Sequence, residues 1–269
     1  MDNLRWRLIQ DTAREGAMQM ALEEAAAETA RTSNLATVRV YDWSPSAVTM
    51  GYNQDQATID WTYCETEGID VTRRQTGGGG IYHDATGDIA YTIVAPMEAV
   101  PGDLMACYEQ FCTPILEALT SLGVEATFAA SPQPSLYHPA CYLRDVHPAH
   151  DIVVDGAKVS GNAQYRQRDV VIQHGSITYE KQLAAGLGVF STNEITASEY
   201  HERVTSVREH ADVSRSAVRT ALAEALAEWS DATTGSWKET ELDRAARLVE
   251  SKYGRESWIL RRQSQPPSP

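Results

Sequence analysis

Four consecutive glycines, Gly77 to Gly80, sit between two arginines and a His-Asp pair in Arg73-Arg74-Gln75-Thr76-Gly77-Gly78-Gly79-Gly80-Ile81-Tyr82-His83-Asp84. Glycine loses more backbone entropy on folding than any other residue, so such a run does not serve stability. It suits backbone that approaches a ligand closely or presents N–H groups to an anion. The flanking arginines could then supply charge to a phosphate or carboxylate. The run is not a Walker loop, because no Gly-Lys-Ser/Thr follows. It also fails G-x-G-x-x-G, whose last glycine would fall on Tyr82. The plain alternative is a flexible hairpin turn.

A second feature is Asp151–Gln164, DIVVDGAKVSGNAQ, which places Lys158 at the start of a strand running through Gly161. Only four of the 23 Lys and Arg residues are lysines, and Lys158 is the sole one before Lys181. A chain that otherwise prefers arginine keeps a compact ammonium here, which points to a site rather than a solvated surface charge. A third is the cluster His138, Cys141, His147 and His150, spaced H-x₂-C-x₅-H-x₂-H. These are soft ligand types, but the spacing matches no common structural zinc pattern, so no metal held by protein ligands is expected. Cys141 can instead be read as a nucleophile, if a neighbouring imidazole or cation favours its thiolate, or as a buried structural thiol. Cys107 and Cys112 follow a helical pattern and read as core.

These residues need elements to hold them. Arg5–Gln10 reads as a strand, and residues 14–32, rich in Ala, Glu and Met, as a helix. Val38–Trp43 and Ala47–Tyr52 read as a hairpin turned by Ser44-Pro45-Ser46. Ile69–Arg74 and Ile89–Ala95 are strands on either side of the glycine run, and Leu104–Leu122 is a helix stopped by Gly123. Residues 131–150 hold four prolines and no periodicity, as a long functional or disordered loop would. Asp151–Val154, the turn Asp155-Gly156, Lys158–Gly161 and Asp169–Tyr179 supply further strands. Ser214–Trp229 and Glu239–Tyr253 are amphipathic helices. The expected class is α/β (α+β): a mixed sheet flanked by helices. Its parts are a catalytic domain over residues 1–200, a helical part of the same domain over 201–260, and a disordered tail over 261–269.

With 269 residues the chain can bury a sizeable core. Its formal charge of −14 excludes a general binder of nucleic acid, whose phosphates it would repel. Such acidity suits a salt-rich cytosol, where screening mutes self-repulsion. No apolar run is long enough to cross a membrane, and Met1–Trp6 lacks the pattern of an export signal, so a soluble, cytoplasmic protein with reduced cysteines is expected.

Arg73–Asp84 resembles the RR-x-[ST]-G-G-G-x-x-x-H-D signature of lipoate–protein ligases, and Lys158–Gln164 resembles their K-x-x-G-x-A-Q segment. Supporting matches are Trp6-Arg7-Leu8-Ile9, Met20–Ala25, Gly51-Tyr52-Asn53-Gln54, Gln173-His174-Gly175-Ser176 and the Lys252-Tyr253…Trp258 ending. The resemblance implies the catalytic domain shared by biotin and lipoyl protein ligases. It implies activation of lipoate by ATP with Mg²⁺ to lipoyl-AMP, and transfer of the lipoyl group to a lysine of a carrier domain. Such carriers belong to 2-oxoacid dehydrogenases or the glycine-cleavage H protein, and a separate accessory-domain polypeptide can take part.

By matching position, Arg74 and Gly79, Gly80, Ile81 and Tyr82 would line the nucleotide and acyl site. Thr76, Gly77 and Gly78 would shape the acyl pocket with His83 beside it, and Lys158, with Gly161 near it, would hold the lipoate carboxylate and the α-phosphate. Some relatives are instead octanoyltransferases, which carry the acyl group on a cysteine before the lysine motif. Cys141 stands in that place, 158 − 141 = 17 residues ahead of Lys158. Those transferases tend to carry arginine within the glycine run. The unbroken glycines and the following His83-Asp84-Ala85-Thr86-Gly87-Asp88 make ligase the main reading and octanoyltransferase through a Cys141 thioester the alternative. Biotin ligation and a non-catalytic carrier-binding module are further alternatives, the latter disfavoured by Lys158 beside the full glycine run.

Overall fold

The computed structural model describes residues 4–148, 150–167, 169–191 and 194–264. In chain order the elements are β1 (Arg5–Gln10), α1 (Gly16–Ser33), β2 (Leu35–Tyr41), β3 (Ala47–Met50), α2 (Trp61–Thr66), β4 (Asp70–Arg73), β5 (Ile81–His83) and β6 (Asp88–Pro96). There follow α3 (Leu104–Ser121), β7 (Thr127–Phe128), β8 (Asp151–Val154), β9 (Ala157–Gln167), β10 (Val170–Thr178) and α4 (Leu183–Gly188). The chain ends with α5 (Ala197–Arg203), α6 (Arg215–Ser230), β11 (Thr233–Thr234), α7 (Glu239–Leu248) and α8 (Glu256–Arg261).

An eight-stranded mixed sheet runs β11-β1-β2-β6-β10-β9-β8-β7, and a small sheet runs β4-β3-β5. β6 lies in the middle of the large sheet and is buried along all nine residues, because both faces are covered. On one face Val38, Tyr91 and Ile93 pack with Phe111 and Ile115 of α3 and Leu222 and Leu226 of α6. On the other, Met20, Leu22 and Ala25 of α1 pack with Tyr41, Ala90 and Ala245 of α7. Cys107 and Cys112 are fully buried in the α3 face, as their helical spacing predicts.

The local grammar is mostly as the sequence reads it. Asn34 ends α1 in the left-handed conformation, and Asp70 reaches across to accept the N–H of Gly16 at 2.7 Å at the start of α1. Asp155 and Gly156 both take positive φ, the two-residue turn that joins β8 to β9. One supersecondary reading is corrected. Residues 38–43 and 47–52 do not form a hairpin: β2 pairs with β1 and β6, whereas β3 pairs with β4 and β5. The Ser44–Ser46 turn carries the chain from one sheet to the other, a difference that alternation alone does not encode. The tail is also shorter than expected, since Arg261 closes α8 and Gln263 N–H donates to Ser257 O. Residues 265–269 lie outside the described residues.

The C-terminal part is tied to the sheet by a buried ion pair. Arg7 of β1 donates to both oxygens of Glu241 on α7, at 2.5 and 2.8 Å, and Thr29 of α1 donates to the same carboxylate at 2.5 Å. Burial pushes the Glu241 carboxyl up, but hydrogen bonds from Arg7, Thr29 and the Lys238 N–H outweigh it and hold it below the usual range. A depressed carboxyl contributes stability that is present above its unfolded pKa and fades as pH falls through the folded one. Glu241→Ala is therefore expected to cost about 3–5 kcal/mol at neutral pH, because it leaves Arg7 buried and uncompensated. Urea denaturation checks this; the difference from wild type should shrink below about pH 4. Equal stabilities at neutral pH would contradict the role given to this pair.

Candidate active site

Two loops meet at Gly80. Its N–H donates to Pro139 O at 2.5 Å, and its carbonyl accepts the Cys141 N–H at 2.6 Å. The glycine run and the proline-rich 131–150 segment are thereby stitched together, and a short helical turn at Cys141–Leu143 holds the thiol where they join. From β9, Lys158 is nearly fully buried and donates from Nζ to Cys141 O at 3.0 Å. Its ammonium also pairs with Asp151 on β8 at 3.1 Å. A Cβ built on Gly161 would lie 3.4 Å from Cys141 Sγ, so the thiol rests against bare backbone there. Glycine run, cysteine and lysine, distant in sequence, form one centre.

Gly79 and Gly80 serve this junction. A Cβ on Gly79 would fall 2.7 Å from Pro139 O and 2.9 Å from Arg144 Cδ, and one on Gly80 would fall 2.9 Å from Gln54 and Phe190. Gly78 needs its positive φ of 95°, whereas Gly77 faces open space. Arg74, expected to line the nucleotide and acyl site, borders two of the cavities described below. Its guanidinium is buried and donates inward, to Thr76 Oγ1 at 2.8 Å and to the carbonyls of Thr49, Gly77 and Gly79 at 2.6–2.8 Å. Arg73 likewise turns inward, onto the carbonyls of Gly51, Tyr52, Gln54 and Ile259. Both arginines shape the loop through these bonds.

Cys141 lines three cavities. The first is bordered by Met20, Tyr41, Trp43 and Ile81, with Arg74, His83, Gly161 and His174 completing it. His83 stacks on Trp43, with ring centroids 4.1 Å apart. It is held by Asp88 at 2.6 Å and Thr49 at 3.1 Å. Burial pushes the His83 imidazole down and outweighs the opposing pull of Asp88, so this wall is neutral. Apolar and aromatic surfaces closed by a neutral ring suit an aliphatic chain.

The second cavity is polar and is lined by Gly77, Gly78, Tyr108, Arg144, His147 and His150, with Lys158 and Cys141 at its base. The third lies beside Ile81, Tyr82, Asp84 and Lys158. There Tyr82 donates to Asp84 at 2.8 Å. Thr76 stands back from all three. It bonds His174 at 2.8 Å, and His174 in turn meets the buried Glu23 at 2.9 Å. Burial raises the Glu23 carboxyl, but His174, Thr92 and Arg39 together hold it below its usual range.

The cysteines divide sharply. Burial pushes Cys64 up to about 11 and Cys112 up to about 12, and raises Cys107 as well. Cys141 alone among the cysteines is only half-buried. Burial pushes the Arg74 guanidinium down to about 10, with Arg144 adding to that fall, while a negative charge at Cys141 favours its charged form. His147 and His150 stack with centroids 4.9 Å apart, yet among the described residues no three His, Cys, Asp or Glu side chains converge to hold a metal ion.

Sequence reasoning did not single out Asp151, Arg144, Glu23, His174 or Trp43 as site residues. Val153 pairs with Lys158 across the Asp155-Gly156 turn and Asp151 lies two residues further along β8, so the hairpin register was the available signal for Asp151. Arg144 follows Cys141 by one helical turn, and that spacing was the available signal.

The sequence description of the lipoyl protein ligase A/B catalytic domain matches residues 15–227. The octanoyltransferase LipM of Symbiobacterium thermophilum is 31% identical over 96% of this chain and 98% of its own length. The LipM of Carboxydothermus hydrogenoformans is 27% identical over 95% and 98%. Among solved structures, a lipoate-protein ligase A bound with ATP aligns with a TM-score of 0.80 at 24% identity, covering 95% of this chain and 98% of that one. A bi-partite lipoate protein ligase studied with its E2 lipoyl domain, from Thermoplasma acidophilum, aligns at 0.80 and 22% identity over 99% and 100%. At these identities the structural likeness concerns the fold.

The four glycines should differ in tolerance. Gly79→Ala is expected to lose about 1–3 kcal/mol, because the loop must move off Pro139 and Arg144. Gly77→Ala should stay within about 0.5 kcal/mol of wild type. Thermal and urea melts of both variants check this, and equal losses would show that the run acts only as a hinge.

Proposed function

The chain belongs to the lipoyl protein ligase A/B catalytic-domain family, and within it we propose that the protein is an octanoyltransferase working through a Cys141 thioester. It would move octanoyl from an acyl carrier protein to the acceptor lysine of a lipoyl carrier domain. The observation that carries this reading is the place of Cys141: the one half-buried thiol, at the meeting point of an apolar cavity and a polar mouth, beside a buried ammonium. Full-length similarity to octanoyltransferases supports the same choice. The ATP-dependent ligase expected from the unbroken glycines becomes the second reading, because the full-length relatives named above are octanoyltransferases.

In the first half-reaction the Cys141 sulfur attacks the donor thioester carbonyl. A new S–C bond forms, the donor C–S bond breaks, and the thiol proton passes to the departing pantetheine sulfur. The octanoyl chain then lies among Met20, Tyr41, Trp43 and Ile81. In the second half the neutral acceptor amine attacks the same carbonyl. The C–N bond forms, the Cys141–acyl bond breaks, and an amine proton passes to the Cys141 sulfur. An ammonium has three N–H donors. Among the described residues one of those on Lys158 goes to Cys141 O while the ammonium pairs with Asp151, and we assign its remaining donor capacity to the charge that builds on sulfur or carbonyl oxygen. Lys158 is therefore a fixed electrostatic stabiliser of both steps.

Cys141→Ala should abolish octanoyl transfer to an apo lipoyl domain, a loss of at least about 10³-fold. Cys141→Ser should restore little of it. Transfer from octanoyl carrier protein is compared with free lipoate plus ATP on the same domain. Modification that needs ATP and survives Cys141→Ala would return the protein to the ligases.

A further inference from the structure

Lys158 arrives at Cys141 already held by a carboxylate. Asp151 is itself almost fully buried, with one oxygen 3.1 Å from Lys158 Nζ and the other accepting the His147 N–H at 2.8 Å. The same Nζ donates to the carbonyl of Cys141, so Asp151, Lys158 and the cysteine loop form one chain of contacts. Given the transferase reading above, we propose that Asp151 is a positioning residue for it: its carboxylate fixes Lys158 against the Cys141 backbone and keeps that nitrogen an ammonium.

The surroundings of Lys158 make such a partner necessary. Arg74 and Arg144 share its polar cavity, with Asp145, His147 and His150 from the cysteine loop. On the other side Asp84, Asp88 and Glu180 border the cavity beside Tyr82. Asp84 is engaged by Tyr82 and by the N–H groups of Thr86 and Gly87, Asp88 by His83, and Glu180 by Arg208 at 3.3 Å. Among the described residues Asp151 alone forms an ion pair with Lys158.

Burial raises the Asp151 carboxyl, but His150, Lys158 and the His147 N–H outweigh it and hold it ionised. Without that carboxylate, a buried ammonium beside two guanidiniums is pressed toward the neutral amine by desolvation and like charge. A neutral Lys158 no longer stabilises the charge on sulfur or acyl oxygen, so activity should be lost from the alkaline side first.

The test uses full-length wild type, Asp151→Asn and Asp151→Glu, with thermal melts to confirm folding. Competitive acetylation with acetic anhydride, followed by peptide mass spectrometry, reads how much of each lysine is neutral as pH rises. Lys181, Lys238 and Lys252 serve as internal references. In Asp151→Asn the labelling of Lys158 should begin about one pH unit lower and rise severalfold, and the alkaline limb of octanoyl transfer should move down with it. Asp151→Glu should restore both. Unchanged Lys158 labelling in Asp151→Asn, or no recovery in a folded Asp151→Glu, would overturn the proposal. Because labelling needs no acyl donor, it judges Asp151 even if wild type takes no octanoyl group. That second failure would count against the transferase reading alone.

Discussion

Two backbone hydrogen bonds at Gly80 hold the working part of this molecule together. Gly80 N–H to Pro139 O and Cys141 N–H to Gly80 O fix the cysteine loop onto the glycine loop, and every other feature of the site refers to that join. Backbone carbonyls of His138 and Pro139 crowd any side chain at Gly79, and the Gln54 and Phe190 side chains crowd one at Gly80. Arg74 sets the shape from inside, gathering the carbonyls of Gly77 and Gly79 around one buried guanidinium. Behind it, the chain Thr76–His174–Glu23 ties the loop to α1, while Trp258 of α8 donates to Arg73 O and closes the far side. These bonds make the loop rigid, and on the transferase reading proposed above rigidity lets one acyl carbonyl meet two partners in turn.

The division of labour around Cys141 follows from burial. Three cysteines are sealed in apolar cores, where the thiolate is disfavoured, and one stands at the edge of a solvent-facing mouth. An acyl chain is apolar and its carbonyl is polar, so a site that accepts both must place apolar walls on one side of the sulfur and fixed charge on the other. On the reading proposed above, Met20, Trp43 and Ile81 would provide the first, and Lys158 with Asp151 the second.

Much of this is legible in the residues, and the remainder fails for identifiable reasons. Gly77–Gly80, Cys141 and Lys158 stand out because each breaks a local rule: entropy for the glycines, a proline-rich loop for the cysteine, and scarcity for the lysine. The helices over 16–33, 104–121 and 215–230 are legible through composition and caps. Alternation does not say which sheet a strand joins, so β2 and β3 look like a hairpin although they part at Ser44–Ser46. Charge does not say which way it points, so Arg73 looks like a ligand contact although its partners are carbonyls of its own chain. Asp151 is hidden because a lone carboxylate at the start of a strand gives no sign that it will be buried against a lysine of the next strand.

The central claim is that the acyl group rests on Cys141 between donor and acceptor. Rapid-quench intact-mass and peptide mapping, with octanoyl carrier protein and an apo lipoyl domain, follows that intermediate directly. The account predicts an octanoyl group on Cys141 that forms before product, disappears at the rate at which the lipoyl domain is modified, and needs no nucleotide. Product that accumulates with Cys141 unmodified throughout, or only when ATP and a free acid are supplied, would contradict it.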